Sequence, residues 1–195
     1  MKDHSIIKEV KACRVCVNFL PSGPNPIFSF SSSASILIIG QAPGAKVHAS
    51  GIPWNDQSGK LLREWMMIND EIFYDEKKIA LLPMGFCYPG KGSSGDLPPR
   101  PECAPLWHHI LLGYMKQIRL TVLIGQYSQN YYLGDTACDT LTETVRSFKK
   151  YLPEYLPLPH PSPRNRIWLK RNPWFDTELI PVLRKKVKAA LKPGK

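Results

Sequence analysis

Acidic side chains are scarce in this 195-residue chain: 16 Asp and Glu stand against 26 Lys and Arg, a formal net charge of +10 at pH 7. Such a surplus favours a polyanionic partner, since Lys and Arg that neutralise phosphates supply most non-specific nucleic-acid affinity. Alone it carries little weight, because a basic face is often only a solvated one. Long apolar runs are also missing. No stretch is long enough to span a bilayer, and the charged start, Met1 to Val10, is expected to be neither a signal peptide nor an anchor. A cytoplasmic location with no membrane partner is the expectation. A P-loop is excluded: Gly44-Ala45-Lys46 lacks the GxxxxGK[ST] spacing, and no hydroxyl follows the lysine.

Cysteines are few, 5 in all, and in a reducing compartment a CxxC serves metal or redox chemistry sooner than a structural disulfide. Cys13 and Cys16 form one pair, and Cys87 and Cys103 a second across a Pro- and Gly-rich spacer. Four thiolates in two pairs suit zinc or an iron–sulfur cluster, with inert free thiols as the alternative. Cys138 is left over and reads as a small buried hydrophobe.

An apolar content of 43% is ordinary for a globular protein, and the length suits one domain, residues 1–195. Ile36 to Gly40 reads as a short strand buried on both faces. It stops at Gln41-Ala42-Pro43-Gly44, where Pro43 fixes φ and Gly44 permits positive φ, a turn able to press backbone N–H groups against a ligand. Further strands are expected at Ile79 to Met84, Leu120 to Gly125 and Tyr155 to Leu158. Helices are expected after Gly59, from Glu102 to Gln117, from Gln126 to Leu133, from Leu141 to Tyr151 and from Trp174 to Leu191. Pro89 to Pro101 reads as a long loop whose Lys91, Arg100 and glycines suit an anion. Strands alternating with helices predict an α/β fold, three layers α/β/α around a parallel sheet of about four strands. Ligands of such sheets bind beyond the strands' carboxyl ends.

Two segments there carry candidate chemistry. In Gly51-Ile52-Pro53-Trp54-Asn55-Asp56, Trp54 and Asp56 fall on a loop at a helix N-terminus; a helix cap and a core aromatic are the bland alternatives. Pro159-His160-Pro161-Ser162-Pro163-Arg164-Asn165 is a rigid turn whose prolines pre-position the His160 ring, with an incidental surface histidine as the alternative. Arg164, Arg166, Lys170 and Arg171 follow and suit a phosphate backbone.

Together these segments resemble the uracil-DNA glycosylase superfamily. Gly40-Gln-Ala-Pro-Gly44 resembles its first motif and His160-Pro-Ser-Pro-Arg-Asn165 its second, in the expected order and over nearly the whole chain. The resemblance implies an enzyme excising uracil or another deaminated base from DNA, and a monomer is expected. It places Gln41, Ala42 and Trp54 at the flipped base, with Trp54 stacking on it and His160 contacting uracil O2. Asp56 resembles the acidic residue of a Phe-Thr-Gly-Asp segment in family 5 enzymes. Arg164, Asn165, Arg166 and Lys170 fall on the DNA side, Arg164 as a candidate to fill the gap in the stack. Positions where families 1 and 4 carry a polar catalytic group hold Ala42 and Ala45, and the place of the uracil-reading asparagine holds Pro83. The cysteines resemble the ligands of the family 4 and family 5 branches, which implies a [4Fe–4S] cluster rather than zinc. A glycosylase-like protein that binds nucleic acid without catalysis is the second expectation.

Such an enzyme builds positive charge on the sugar and negative charge on the departing base. A carboxylate answers the first and a hydrogen-bond donor the second. The base leaves the duplex to be cut, so an aromatic platform belongs in the site.

Overall fold

A computed structural model of the chain describes residues 2–192. Four strands, β1 (Ile36–Ile39), β2 (Ile79–Leu81), β3 (Leu120–Ile124) and β4 (Tyr155–Leu158), pair in parallel in the order β2-β1-β3-β4. The helices are α1 (Lys2–Lys11), α2 (Ala45–Ser50), α3 (Gln57–Met66), α4 (Asp70–Phe73), α5 (Cys103–Tyr114), α6 (Gln126–Leu133), α7 (Leu141–Arg146), α8 (Arg166–Arg171) and α9 (Ile180–Ala190).

The layers follow from strand geometry. Successive side chains of a strand point to opposite faces, and β1 is apolar at every position. Ile36 and Ile38 join a core with Leu62 and Trp65 of α3 and Leu183 and Val187 of α9. Leu37 and Ile39 join a second core with Val10 of α1 and Trp107 and Leu111 of α5. A sheet buried on both faces needs no polar alternation, which is why its strands read as uninterrupted apolar runs. The predicted α/β/α arrangement is the one observed.

Several boundaries differ from expectation, each for a local reason. The second strand ends at Leu81 rather than Met84, and Pro83 has no N–H with which to extend the outer-edge pairing that Leu81 makes with Ser29. The chain nevertheless stays beside the first: the Leu82 amide bonds the Ile38 carbonyl at 3.0 Å, and the Met84 amide bonds the Gly40 carbonyl at 2.9 Å. The outer edge of β2 is covered by a segment no sequence signal marked, Ser29 pairing antiparallel with Leu81. The helix expected from Glu102 to Gln117 spans Cys103–Tyr114. Past α7 the chain tightens into a 3-10 turn over Phe148–Tyr151, so one expected helix is two pieces. The last helix starts with a wide π turn, Phe175–Leu179, before α9. Pro181 cannot close the ordinary bond to the Thr177 carbonyl, and the looser turn absorbs the loss.

The order places β1 between β2 and β3, so the chain leaves β1 toward one neighbour and reaches the other later. That reversal opens a crevice beyond the carboxyl ends of the strands.

Candidate functional site

The turn after β1 forms one wall of this crevice. Its backbone is anchored by the Gly85 amide to the Gln41 carbonyl at 3.0 Å, and Gly44 is the N-cap of α2, the His48 amide bonding its carbonyl at 2.8 Å. Gly44 does not use positive φ: its φ is −82°. Its lack of a side chain serves close approach instead. A Cβ there would lie 3.2 Å from an Asp96 carboxylate oxygen, and one on Gly40 would lie 2.7 Å from the Trp54 ring.

Trp54 occupies the left-handed region at φ 57°, a conformation that a bulky side chain adopts only when its surroundings impose it. Those surroundings are visible. The Trp54 carbonyl accepts from Arg63 Nη1 and the Tyr74 hydroxyl, each at 3.4 Å, while Arg63 is pinned by Asp70 at 2.7 Å. A Cβ on Gly59 would collide with the same carbonyl. The outcome is a Trp54 ring facing His160, with 5.8 Å between centroids and 27° between planes.

Asp56 is the N-cap of α3, its Oδ1 accepting from the Gly59 amide at 2.8 Å. The cap expectation is therefore met, and the same carboxyl group also lines the cleft. His160 projects from the turn after β4. Its carbonyl accepts from Asn165 Nδ2 at 2.7 Å, which braces the turn. Burial lowers the imidazole's pKa, against the opposing pull of the Asp56 and Asp96 carboxylates. The ring is therefore uncharged at neutral pH, with one N–H to donate.

Gln41, Ala42, Trp54, Asp56, His160 and Arg164 thus share one cleft of about 580 Å³, joined by Lys46, Lys91, Pro83 and Asp96. The other expected DNA contacts fall outside it. Arg166 lines a neighbouring groove with Lys60 and Gln57, and Lys170 is exposed on α8. Arg164 is exposed and tied to the loop after β2, its Nη1 donating to the Ser94 carbonyl at 3.3 Å. Arg100 belongs to the cysteine side, paired with Glu102 at 2.6 Å and lying over the Phe19 ring.

Asp96 was missed in the sequence. The available signal was that it is the lone acid between Pro89 and Pro101. Also unforeseen was the fixing of Pro83. Buried His108 donates from Nε2 to the Pro83 carbonyl at 3.0 Å and accepts from the Tyr132 hydroxyl at Nδ1, 2.6 Å away. Pro83, with no N–H, offers the cleft no donor. Burial pushes the His108 pKa down to about 4, only partly offset by that carbonyl. An unfolded imidazole near 6.5 binds a proton that the folded one refuses, so this contribution to stability is complete above pH 6.5 and is lost as pH falls toward 4. Urea midpoints at about pH 7.5 and about pH 4.5 are expected to differ less in His108→Gln than in wild type.

The four paired cysteines converge elsewhere. Cys13, Cys16, Cys87 and Cys103 line one small apolar cavity with Phe86 and Trp107. Among the described residues no three His, Cys, Asp or Glu side chains close on a single metal ion, yet the donor set is four thiols with mutual electrostatic influence. Burial pushes the Cys103 thiol up to about 12, and the other three thiols reinforce it. The Phe86 amide donates to Cys103 Sγ at 3.3 Å, as amides do to cluster thiolates. Cys138 stands apart, half-buried rather than fully buried, with Sγ 3.7 Å from the Tyr151 hydroxyl.

Fold and cleft define an α/β protein with a ligand site beyond a parallel sheet, where an imidazole, an indole and carboxylates meet. Residues 28–184 match the family model of the uracil DNA glycosylase superfamily, and the chain belongs to that superfamily. Membership in that superfamily suggests a glycosylase-like function. No helix among the described residues is long and apolar enough to cross a membrane.

Proposed function

We propose that this chain is a monomeric, cytoplasmic DNA glycosylase that hydrolyses the N-glycosidic bond of uracil or another deaminated base. The observation that carries this reading is the convergence of Trp54, Asp56 and His160 in one cleft, although over a hundred residues separate the last two in sequence. His160, uncharged and half-buried, would donate to the base as negative charge develops there. Asp56, with one oxygen held by the helix cap, would present its charge to the sugar cation. Gln41, Ala42 and Trp54 would contact the extruded base. The test is an abasic-site assay on uracil, hypoxanthine and xanthine substrates, in single and double strands. Strand scission after alkali is the expected result. Tight binding with every base left intact would favour the second reading, a nucleic-acid-binding protein without catalysis, toward which the absence of a donor at Pro83 points.

We further propose that Cys13, Cys16, Cys87 and Cys103 hold a [4Fe–4S] cluster, with zinc as the alternative, as in the family 4 and family 5 branches. Bound there, the group would cross-link the segment after α1 to both ends of the long loop before α5. The thiols' shared apolar cavity and the amide donated to Cys103 support it.

Phosphate binding is assigned to Arg166 and Lys170, with Arg164 and Asn165 holding the His turn in place. Counterion release makes log affinity fall linearly with log salt, about 0.9 per phosphate neutralised. Arg166→Ala with Lys170→Ala is expected to flatten that slope by about 2. An unchanged slope in a salt titration would move the contacts to Lys46, Lys60 and Lys91.

A further inference from the structure

The turn after β1 brings no carboxylate of its own to the cleft, since Gln41, Ala42 and Ala45 are uncharged. A carboxylate arrives there from another part of the chain. The loop after β2 folds back as a tight hairpin, with the Leu97 amide bonding the Gly90 carbonyl at 2.9 Å and the Gly92 amide bonding the Gly95 carbonyl at 2.6 Å. Gly90 makes the return possible at φ 103°. Arg164 ties the hairpin tip to the His turn through the Ser94 carbonyl. Asp96 is thereby set against Gly44, close enough that a Cβ on that glycine would lie 3.2 Å from its Oδ2.

We propose that Asp96 is the proton acceptor for the attacking water in the glycosylase reaction; this rests on the function proposed above. Two carboxylates line the cleft, and their hydrogen bonding separates their roles. Asp56 Oδ1 is committed at 2.8 Å to the Gly59 amide, which fixes that carboxylate at the start of α3. Asp96 has only a long contact, 3.5 Å, from the Tyr88 hydroxyl, and no ion pair among the described residues. It is exposed, so water reaches it. In the step, the water oxygen bonds to the sugar C1′ as its proton passes to Asp96. The C1′–N bond breaks, its electron pair leaves with the base, and the His160 N–H meets that charge. The base is then protonated from solvent, and Asp96 returns its proton to solvent, so the net change is hydrolysis.

The test is single-turnover cleavage of whichever deaminated-base substrate the wild-type protein cuts, compared in Asp96→Asn and Asp96→Ala. Asp96→Asn is expected to lose about 100-fold or more in rate, the lower range for a lost general base. Its melting temperature and affinity for substrate DNA should be undiminished, since the residue is exposed and its removal takes a negative charge away from a polyanion's site. Added formate should restore at least about tenfold to Asp96→Ala by standing in as the base. An active wild type with Asp96→Asn within about threefold of it, or no response of Asp96→Ala to formate, overturns the role of Asp96 and leaves the glycosylase reading intact. A wild type that cuts none of the three lesions overturns both.

Discussion

His160→Ala is expected to slow single-turnover excision by about 100-fold or more, the scale of removing one preorganised donor from a site of developing charge. The imidazole sits in the turn beyond β4, its backbone locked between Pro159 and Pro161 and its carbonyl held by Asn165 at 2.7 Å. Burial keeps it uncharged against two nearby carboxylates. A neutral donor aimed in advance costs no reorganisation when the base departs, and in a partly desolvated cleft it is worth more than in water. Affinity for uncut DNA should change far less, because phosphate contacts dominate binding. The structural alternative makes a different prediction. If His160 mattered only as a packing partner for Trp54, whose ring faces it at 5.8 Å, the loss would appear in melting temperature, and His160→Phe would restore both stability and rate. Paired measurement of rate and melting temperature in the Ala and Phe variants separates the two, and a rate within threefold of wild type in His160→Phe would remove the histidine from the chemistry.

Cys87→Ser is expected to abolish iron binding and to destabilise the fold. Wild type purified anaerobically should be brown, with about four irons per chain if the cluster is cubane. The four thiols join segments distant in sequence: Cys13 and Cys16 follow α1, while Cys87 and Cys103 bracket the long loop before α5. Losing such a cross-link typically costs about 3 kcal/mol, or about 6–12 °C in melting temperature for a chain of this size. Cys138→Ser should keep its iron, since that thiol contacts Ser147 and Tyr151 on a different part of the structure. Iron content and visible absorbance of the three proteins decide the matter. A colourless wild type, with one zinc or with no metal, would refute the cluster.

These expectations draw on different levels of the molecule. The strands were legible because burial on both faces leaves an unmistakable apolar run between turn residues, as at Ile36–Ile39 and Leu120–Ile124. The Trp54 and Asp56 loop and the His160 turn were legible because prolines and a capping residue have local, short-range consequences. The N-cap role of Asp56 needs only the next three residues, and the structure has it. Helix ends were less so. The π turn before α9 depends on how Pro181 is accommodated when Phe175 and Leu179 are driven into the core, a compromise between a missing N–H and apolar burial that local pattern does not reveal.

By itself the sequence determined the layers, the strand ends where the chemistry gathers, and the identity of most groups that meet there. Those depend on residue type and near-neighbour spacing. Only the tertiary structure decided which groups share a cleft and what each is free to do. It drew Asp96 across from the loop after β2 to Gly44, tied Arg164 and Asn165 to neighbouring carbonyls, and fixed Pro83 through a buried histidine. Each of these is a contact between residues far apart along the chain. Its existence depends on the parallel order β2-β1-β3-β4, which brings the ends of separate strands to one edge. The space a glycine leaves beside a carboxylate or an indole is a property of that packing, and a glycine in the sequence does not say which neighbour it makes room for.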